Sequence, residues 1–157
     1  MTHADKTRGE KASRFLREVE QGRYLGVVST FTVEEYVGAM KEILAGKIQG
    51  TPSPNAVMQI RANIDNLVDS LGLELADSDL LLVGGFGKPD IVKAASQVID
   101  QSEVYHKPTC KWIGVGAADA LTTVLAQRSG SQFLATLDDG FRGVKSAVQP
   151  FMIEDSY

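Results

Sequence analysis

The chain has 157 residues, with 20 Asp and Glu against 16 Lys and Arg, for a formal charge of −4. At about 150 residues per typical domain this predicts one domain, 1–157, long enough for its own core. A content of 43% hydrophobic and 23% charged residues excludes a disordered composition. The acidic balance excludes a broad basic surface of the histone or ribosomal kind. No apolar run reaches the ~18 residues of a membrane span, Met1 to Lys6 opens no secretory signal, and the lone cysteine, Cys110, excludes an internal disulfide. These readings predict a cytoplasmic protein with no membrane partner. His3, His106 and Cys110 have no metal-site spacing.

Lys11 to Glu20 predicts an amphipathic helix, with Ala12, Phe15, Leu16 and Val19 on one face and Gly22 as its cap. Tyr24 to Ser29 reads as a strand, and its unbroken apolar run predicts burial on both faces. Thr32 to Leu44 is a second helix, closed by Ala45-Gly46-Lys47. Ser53-Pro54 opens a third that runs to about Leu71. Leu73 to Ala76 is the next strand. Leu80 to Val83 fits either a strand or a short helix, followed by a turn at Gly84 to Pro89. Ile91 to Ile99 and Ala117 to Gln127 are helices. Phe133 to Thr136 and Val148 to Ile153 are strands, and Pro150 makes the last an edge candidate. Strands alternating with helices predict a largely parallel sheet covered on both faces, a three-layer α/β/α sandwich. Ligands in such sheets sit at the carboxyl ends of the strands.

Nucleotide motifs fail. Gly85-Phe86-Gly87-Lys88-Pro89-Asp90 and Gly114-Val115-Gly116-Ala117-Ala118-Asp119 both place Asp where the dinucleotide fingerprint needs a small residue, and no GxxxxGK[ST] occurs. Three acids instead stand at predicted strand ends. Glu35 follows the strand that ends at Ser29, Asp119 opens the helix from Ala117, and Asp138 follows the strand that ends at Thr136. Neighbouring carboxylates repel unless a cation offsets them, and an all-oxygen ligand set suits Mg²⁺ or Mn²⁺. Each acid also has a plainer reading. Glu35 fits a capping box with Thr32, Asp119 fits the positive end of a helix dipole, and Asp138-Asp139-Gly140 fits a turn. Asp139 fits either a supporting position behind the site or a solvent-facing one. Lys107, Lys111, Arg142 and Lys145 flank the acids and are candidates for phosphate contact or for a solvated face.

In order, Ser29-Thr30-Phe31-Thr32-Val33-Glu34-Glu35, Ala117-Ala118-Asp119-Ala120-Leu121 and Thr136-Leu137-Asp138-Asp139-Gly140-Phe141 resemble the acidic motifs of the PIN domain, a family of metal-dependent ribonucleases. The first motif selects Glu35 over Glu34. In the third, the family often has Asp where this chain has Gly140. The resemblance runs from about Glu10 to the C-terminus. It implies an α/β/α sandwich, with Glu35, Asp119 and Asp138 as catalytic residues and as ligands of Mg²⁺ or Mn²⁺. The implied reaction is hydrolysis of RNA to a 5′-phosphate and a 3′-hydroxyl. It also implies homo-oligomers and, for toxin-like members, an antitoxin protein as partner. The family opens with a hydrophobic strand ending in its first acidic residue. Met1 to Gly9 carries no such strand, so truncation at the N-terminus is expected. Two other readings remain open: a non-catalytic PIN-like module binding RNA or protein, and an unrelated α/β enzyme acting on a small phosphorylated substrate.

Overall fold

Helix α1 spans His3–Glu20, in a computed structural model that describes residues 3–82 and 88–157. It starts well before the apolar stripe that predicts it, because the polar lead-in has docking partners. Arg8 pairs with the Glu154 carboxylate, and Lys11 donates to the Glu154 backbone carbonyl. Farther along, Phe15 packs against Tyr24 and Phe151, with ring centroids 5.7 and 5.8 Å away. The Tyr157 hydroxyl donates to Glu18 at 2.6 Å, and this bond raises the Tyr157 phenol above its ordinary range. Gly22, at φ +73, follows the helix as predicted.

Strand β1 is only Val27–Ser29, paired in parallel with β2, Glu74–Ala76. The expected burial on both faces is not met. Leu25 is 100% exposed and Val27 41%, because β2 covers one edge of a very short strand and no ladder continues on the other. Helix α2, Thr30–Ile48, starts earlier than Thr32 because Ser29 is the N-cap: its Oγ accepts the Thr32 N–H at 3.0 Å. Gly46 does not end the helix. Gln49 does, in a left-handed conformation at φ +53. Helix α3, Pro54–Ser70, begins as predicted, with Ser53 as N-cap and Pro54 in the first turn. Val37, Ile60 and Ile64 form a small separate core between α2 and α3.

A 3₁₀ helix at Ser78–Leu82 settles the ambiguity at Leu80 in favour of helix. Of the turn read at Gly84 to Pro89, residues 84–87 lie outside the described residues, and Lys88 and Pro89 open the next helix instead. Helix α4, Lys88–Ser102, is longer than the predicted Ile91 to Ile99. An antiparallel hairpin follows, β3 (Val104–His106) and β4 (Lys111–Ile113); the periodicity did not predict it. Helix α5 is Ala117–Arg128 and β5 is Phe133–Thr136. After a 3₁₀ helix at Asp139–Gly143, β6 (Gln149–Met152) pairs in parallel with β5, with Pro150 opposite Leu134. Helix α6, Ile153–Ser156, closes the chain.

The class is therefore mixed α/β, with two short parallel ladders, β1–β2 and β5–β6, and one antiparallel hairpin. No strand-to-strand hydrogen bonds join the ladders among the described residues. Side chains join them instead. Ala76 of β2 and Met152 of β6 meet Ala120, Val124 and Leu125 of α5, together with Ala95 and Val98 of α4, in one core.

The tightest backbone approach in this assembly is at Gly143, where a Cβ would stand 1.9 Å from the Ser102 carbonyl oxygen. Gly143→Ala should destabilise the protein by more than about 2 kcal/mol through enforced backbone displacement. Gly46→Ala, inside α2 with open space around it, should stabilise it by about 0.5–1 kcal/mol. Urea unfolding of both variants checks the contrast.

Candidate functional site

Glu35 lies in the second turn of α2, the helix that Ser29 caps at the carboxyl end of β1. The capping-box reading of Glu35 is not met, because Thr32 stands within the first turn and its hydroxyl meets Ser29 Oγ at 2.9 Å. The neighbouring Glu34 is committed elsewhere: Arg61 of α3 donates to both of its oxygens, at 2.6 and 2.8 Å. These charge-assisted bonds hold the Glu34 carboxyl below the usual range. Glu35 is exposed, with no side-chain partner among the described residues. Of the two adjacent glutamates, Glu35 is thus the one available to a ligand.

Asp119 stands in the first turn of α5 and is half-buried. Its Oδ2 accepts the N–H of Gly116 at 3.3 Å, so the plainer role at the helix start is met. Its second oxygen has no protein donor among the described residues. Asp138 caps the 3₁₀ helix that follows β5. Its Oδ1 accepts the Gly140 N–H at 2.8 Å, which is the predicted turn. Its other oxygen also lacks a protein donor there. The two segments touch. A Cβ on Gly140 would lie 2.7 Å from the Gly114 carbonyl oxygen, just before the α5 cap, and 3.2 Å from Asp138 Oδ1. This contact explains why Gly, and no larger residue, occupies position 140 in this chain.

Asp139 is neutralised rather than solvent-facing. Arg142 Nε donates to its Oδ1 at 2.7 Å, and Arg8 lies 3.8 Å from its Oδ2. Arg142 also clamps Asp155 through both terminal nitrogens, at 2.7 and 3.1 Å. Its guanidinium is held well above its ordinary pKa by these two carboxylates, Asp155 first. Arg142 is therefore engaged by two protein carboxylates. Lys107, Lys111 and Lys145 are exposed.

Residues 119 and 138 are thus brought onto adjoining segments, while Glu35 stands on a separate helix. No three His, Cys, Asp or Glu among the described residues are grouped closely enough to hold a metal ion. The all-oxygen donor set fits Mg²⁺ or Mn²⁺, and Mg²⁺ needs only one or two carboxylates when water and substrate phosphate complete its shell. A cage of three carboxylates is not formed. A polar cleft between Arg8, Lys11 and Glu154 and an apolar groove between Met40, Ile43 and Ile60 include none of the three acids. Sequence reasoning overlooked Thr30, beside the Ser29 cap. Its Oγ1 is buried with no hydrogen-bond partner among the described residues. No helix among the described residues is long and apolar enough to cross a membrane. Comparison with protein-family models, curated proteins and solved structures finds no match to this chain.

Thr30→Val should be neutral or stabilise the fold by about 1 kcal/mol, since it removes a buried hydroxyl that forms no bond; thermal and urea unfolding read the sign. Arg142 also holds the Asp155 carboxyl below its ordinary range. This contribution to stability is complete above the ordinary carboxylate range, near pH ~4, and is lost as pH falls through the depressed value. In Arg142→Met the Asp155 titration, followed by NMR, should move up to the ordinary range.

Proposed function

We propose that this protein is an endoribonuclease that hydrolyses RNA phosphodiester bonds, with Glu35, Asp119 and Asp138 as its acidic residues and Mg²⁺ or Mn²⁺ as its cofactor. The observation that carries the reading is the contact between the Asp119 and Asp138 segments, each carboxylate keeping one oxygen without a protein donor. The clamp on Glu34 supports Glu35 as the third acid. Asp119 and Asp138 would hold the ion, and Glu35, on α2, is the third acid of the reading. A divalent ion in such a place supplies countercharge and an activated water. The chain's own residues orient the carboxylates: Gly116 holds one oxygen of Asp119, and Gly140 holds one oxygen of Asp138. In this reading the two parallel ladders are halves of the central sheet of an α/β/α sandwich. A toxin role with an antitoxin partner, homo-oligomerisation and a cytoplasmic setting belong to the same proposal.

One observation favours a second reading. Because three acids do not gather among the described residues, a non-catalytic PIN-like module that binds RNA or protein is the alternative. The two readings separate in one experiment. On the nuclease reading, Mn²⁺ binds by calorimetry and a labelled RNA is cut only when the ion is present. Glu35→Gln and Asp119→Asn should each lower that cleavage by at least about 100-fold, the scale of losing an electrostatic participant. Glu35→Gln should leave the unfolding midpoint unchanged, because Glu35 makes no protein contact. RNA binding with neither Mn²⁺ binding nor cleavage supports the module, and cleavage at full rate in both variants removes these acids from the site.

A further inference from the structure

We propose that the outward face of the β3–β4 hairpin is a docking platform for single-stranded RNA, with Tyr105 and Trp112 stacking on bases and Lys107, in the turn beside them, meeting a phosphate. The choice of RNA over DNA rests on the proposed function; the platform rests on the hairpin itself. Register pairs Tyr105 directly with Trp112 across the two strands, so both rings stand on one face. The rings lie 5.8 Å apart, edge to face. Trp112 is 70% exposed and Tyr105 46%, far from the burial that large aromatic residues usually reach. The alternate residues, Val104, His106, Lys111 and Ile113, turn the other way. Val104 Cγ1 lies 3.2 Å from the position a Cβ on Gly143 would take, so that face packs onto the protein.

Charge identifies the occupant. Residues 104–113 contain Lys107 and Lys111 and no Asp or Glu, in a chain of net charge −4. Neither lysine has an ion-pair partner among the described residues. Exposed aromatic rings beside the unpaired Lys107, on a hairpin without acidic residues, match a strand of unpaired bases with its phosphates, since every base offers a ring face and every link a negative charge. The platform is stiff, which limits the ordering that binding requires. The turn is closed by N–H bonds from Thr109 to His106 O, at 3.3 Å, and from Cys110 to Lys107 O, at 3.2 Å. At its base, buried Ser102 donates to Ile99 O at 2.8 Å and accepts the Val115 N–H at 3.0 Å. From β4 the chain runs through Gly114 to Gly116 directly into α5 and Asp119. RNA held on the hairpin is therefore bound next to the segment that carries the candidate acids.

Trp112 is the only tryptophan, so its fluorescence reports on the platform alone. The test titrates the full chain, in EDTA and reducing agent, with an eight-nucleotide oligouridine RNA. Saturable quenching that weakens with salt is expected. Lys107→Gln should reduce the salt slope by about 0.7. Tyr105→Ala should weaken binding roughly 10-fold, within the range of one lost base stack. Labelled-RNA anisotropy should show the same loss in Trp112→Ala and recovery in Trp112→Phe, with circular dichroism confirming folded protein. Absence of quenching, wild-type RNA affinity in Trp112→Ala, or tighter binding of the matching DNA overturns the proposal. So does a Trp112→Ala variant that loses self-association but keeps RNA affinity, because a second copy would then be the occupant. RNA binding without Mn²⁺-dependent cleavage leaves the platform standing and removes the nuclease. Cleavage with unchanged KM in Tyr105→Ala and Trp112→Ala does the reverse.

Discussion

The packing of α5 is the constraint on which the rest of the structure depends. Ala120, Val124 and Leu125 are at most 2% exposed, and they meet side chains from β2, α4, β6 and the 3₁₀ helix after β5 in one cluster. The two parallel ladders are too short to stabilise one another through backbone bonds, and two-stranded sheets are marginal alone. Burial against α5 therefore holds them in place. The same helix begins at the Gly116 cap with Asp119 in its first turn. Core packing and the position of a candidate acid are consequently one structural fact.

Carboxylates in this protein divide into those bound by arginine and those left open. Glu34, Asp139 and Asp155 are held by Arg61 and Arg142, at exposed or partly exposed positions where such pairs contribute little net stability. Their consequence is selective: they remove three carboxylates and two guanidinium groups from competition for a ligand. Glu35 and one oxygen each of Asp119 and Asp138 are among the groups left open. These three do not form one cluster among the described residues.

Local signals were readable where the chain states its own boundaries. The Ser53-Pro54 helix start, the Gly22 cap, the bounds of β5 and the start of α5 at Ala117 all appear as expected. They rest on backbone preferences that act over a few residues. The β3–β4 hairpin was also within reach, since Val104-Tyr105-His106 and Lys111-Trp112-Ile113 are β-forming triplets around a four-residue turn. Three-residue strands are too short for period-2 alternation to distinguish them from a loop. The plainer roles of Asp119 and Asp138, a reach back to Gly116 and a turn at Gly140, were legible for the same local reason.

By itself the sequence determined the mixed α/β class, the order of its main helices and strands, and the three acids at the ends of predicted elements, because periodicity and capping are encoded within a turn or two of chain. Tertiary structure alone decided the distant partners. Glu154 extended α1 backward, Arg61 separated Glu34 from Glu35, Arg142 clamped two carboxylates, and α5 side chains joined ladders that share no strand-to-strand hydrogen bonds among the described residues. Each of these depends on groups far apart in the chain meeting in space, and such meetings are set by the sum of packing and charge over the whole fold rather than by any local preference.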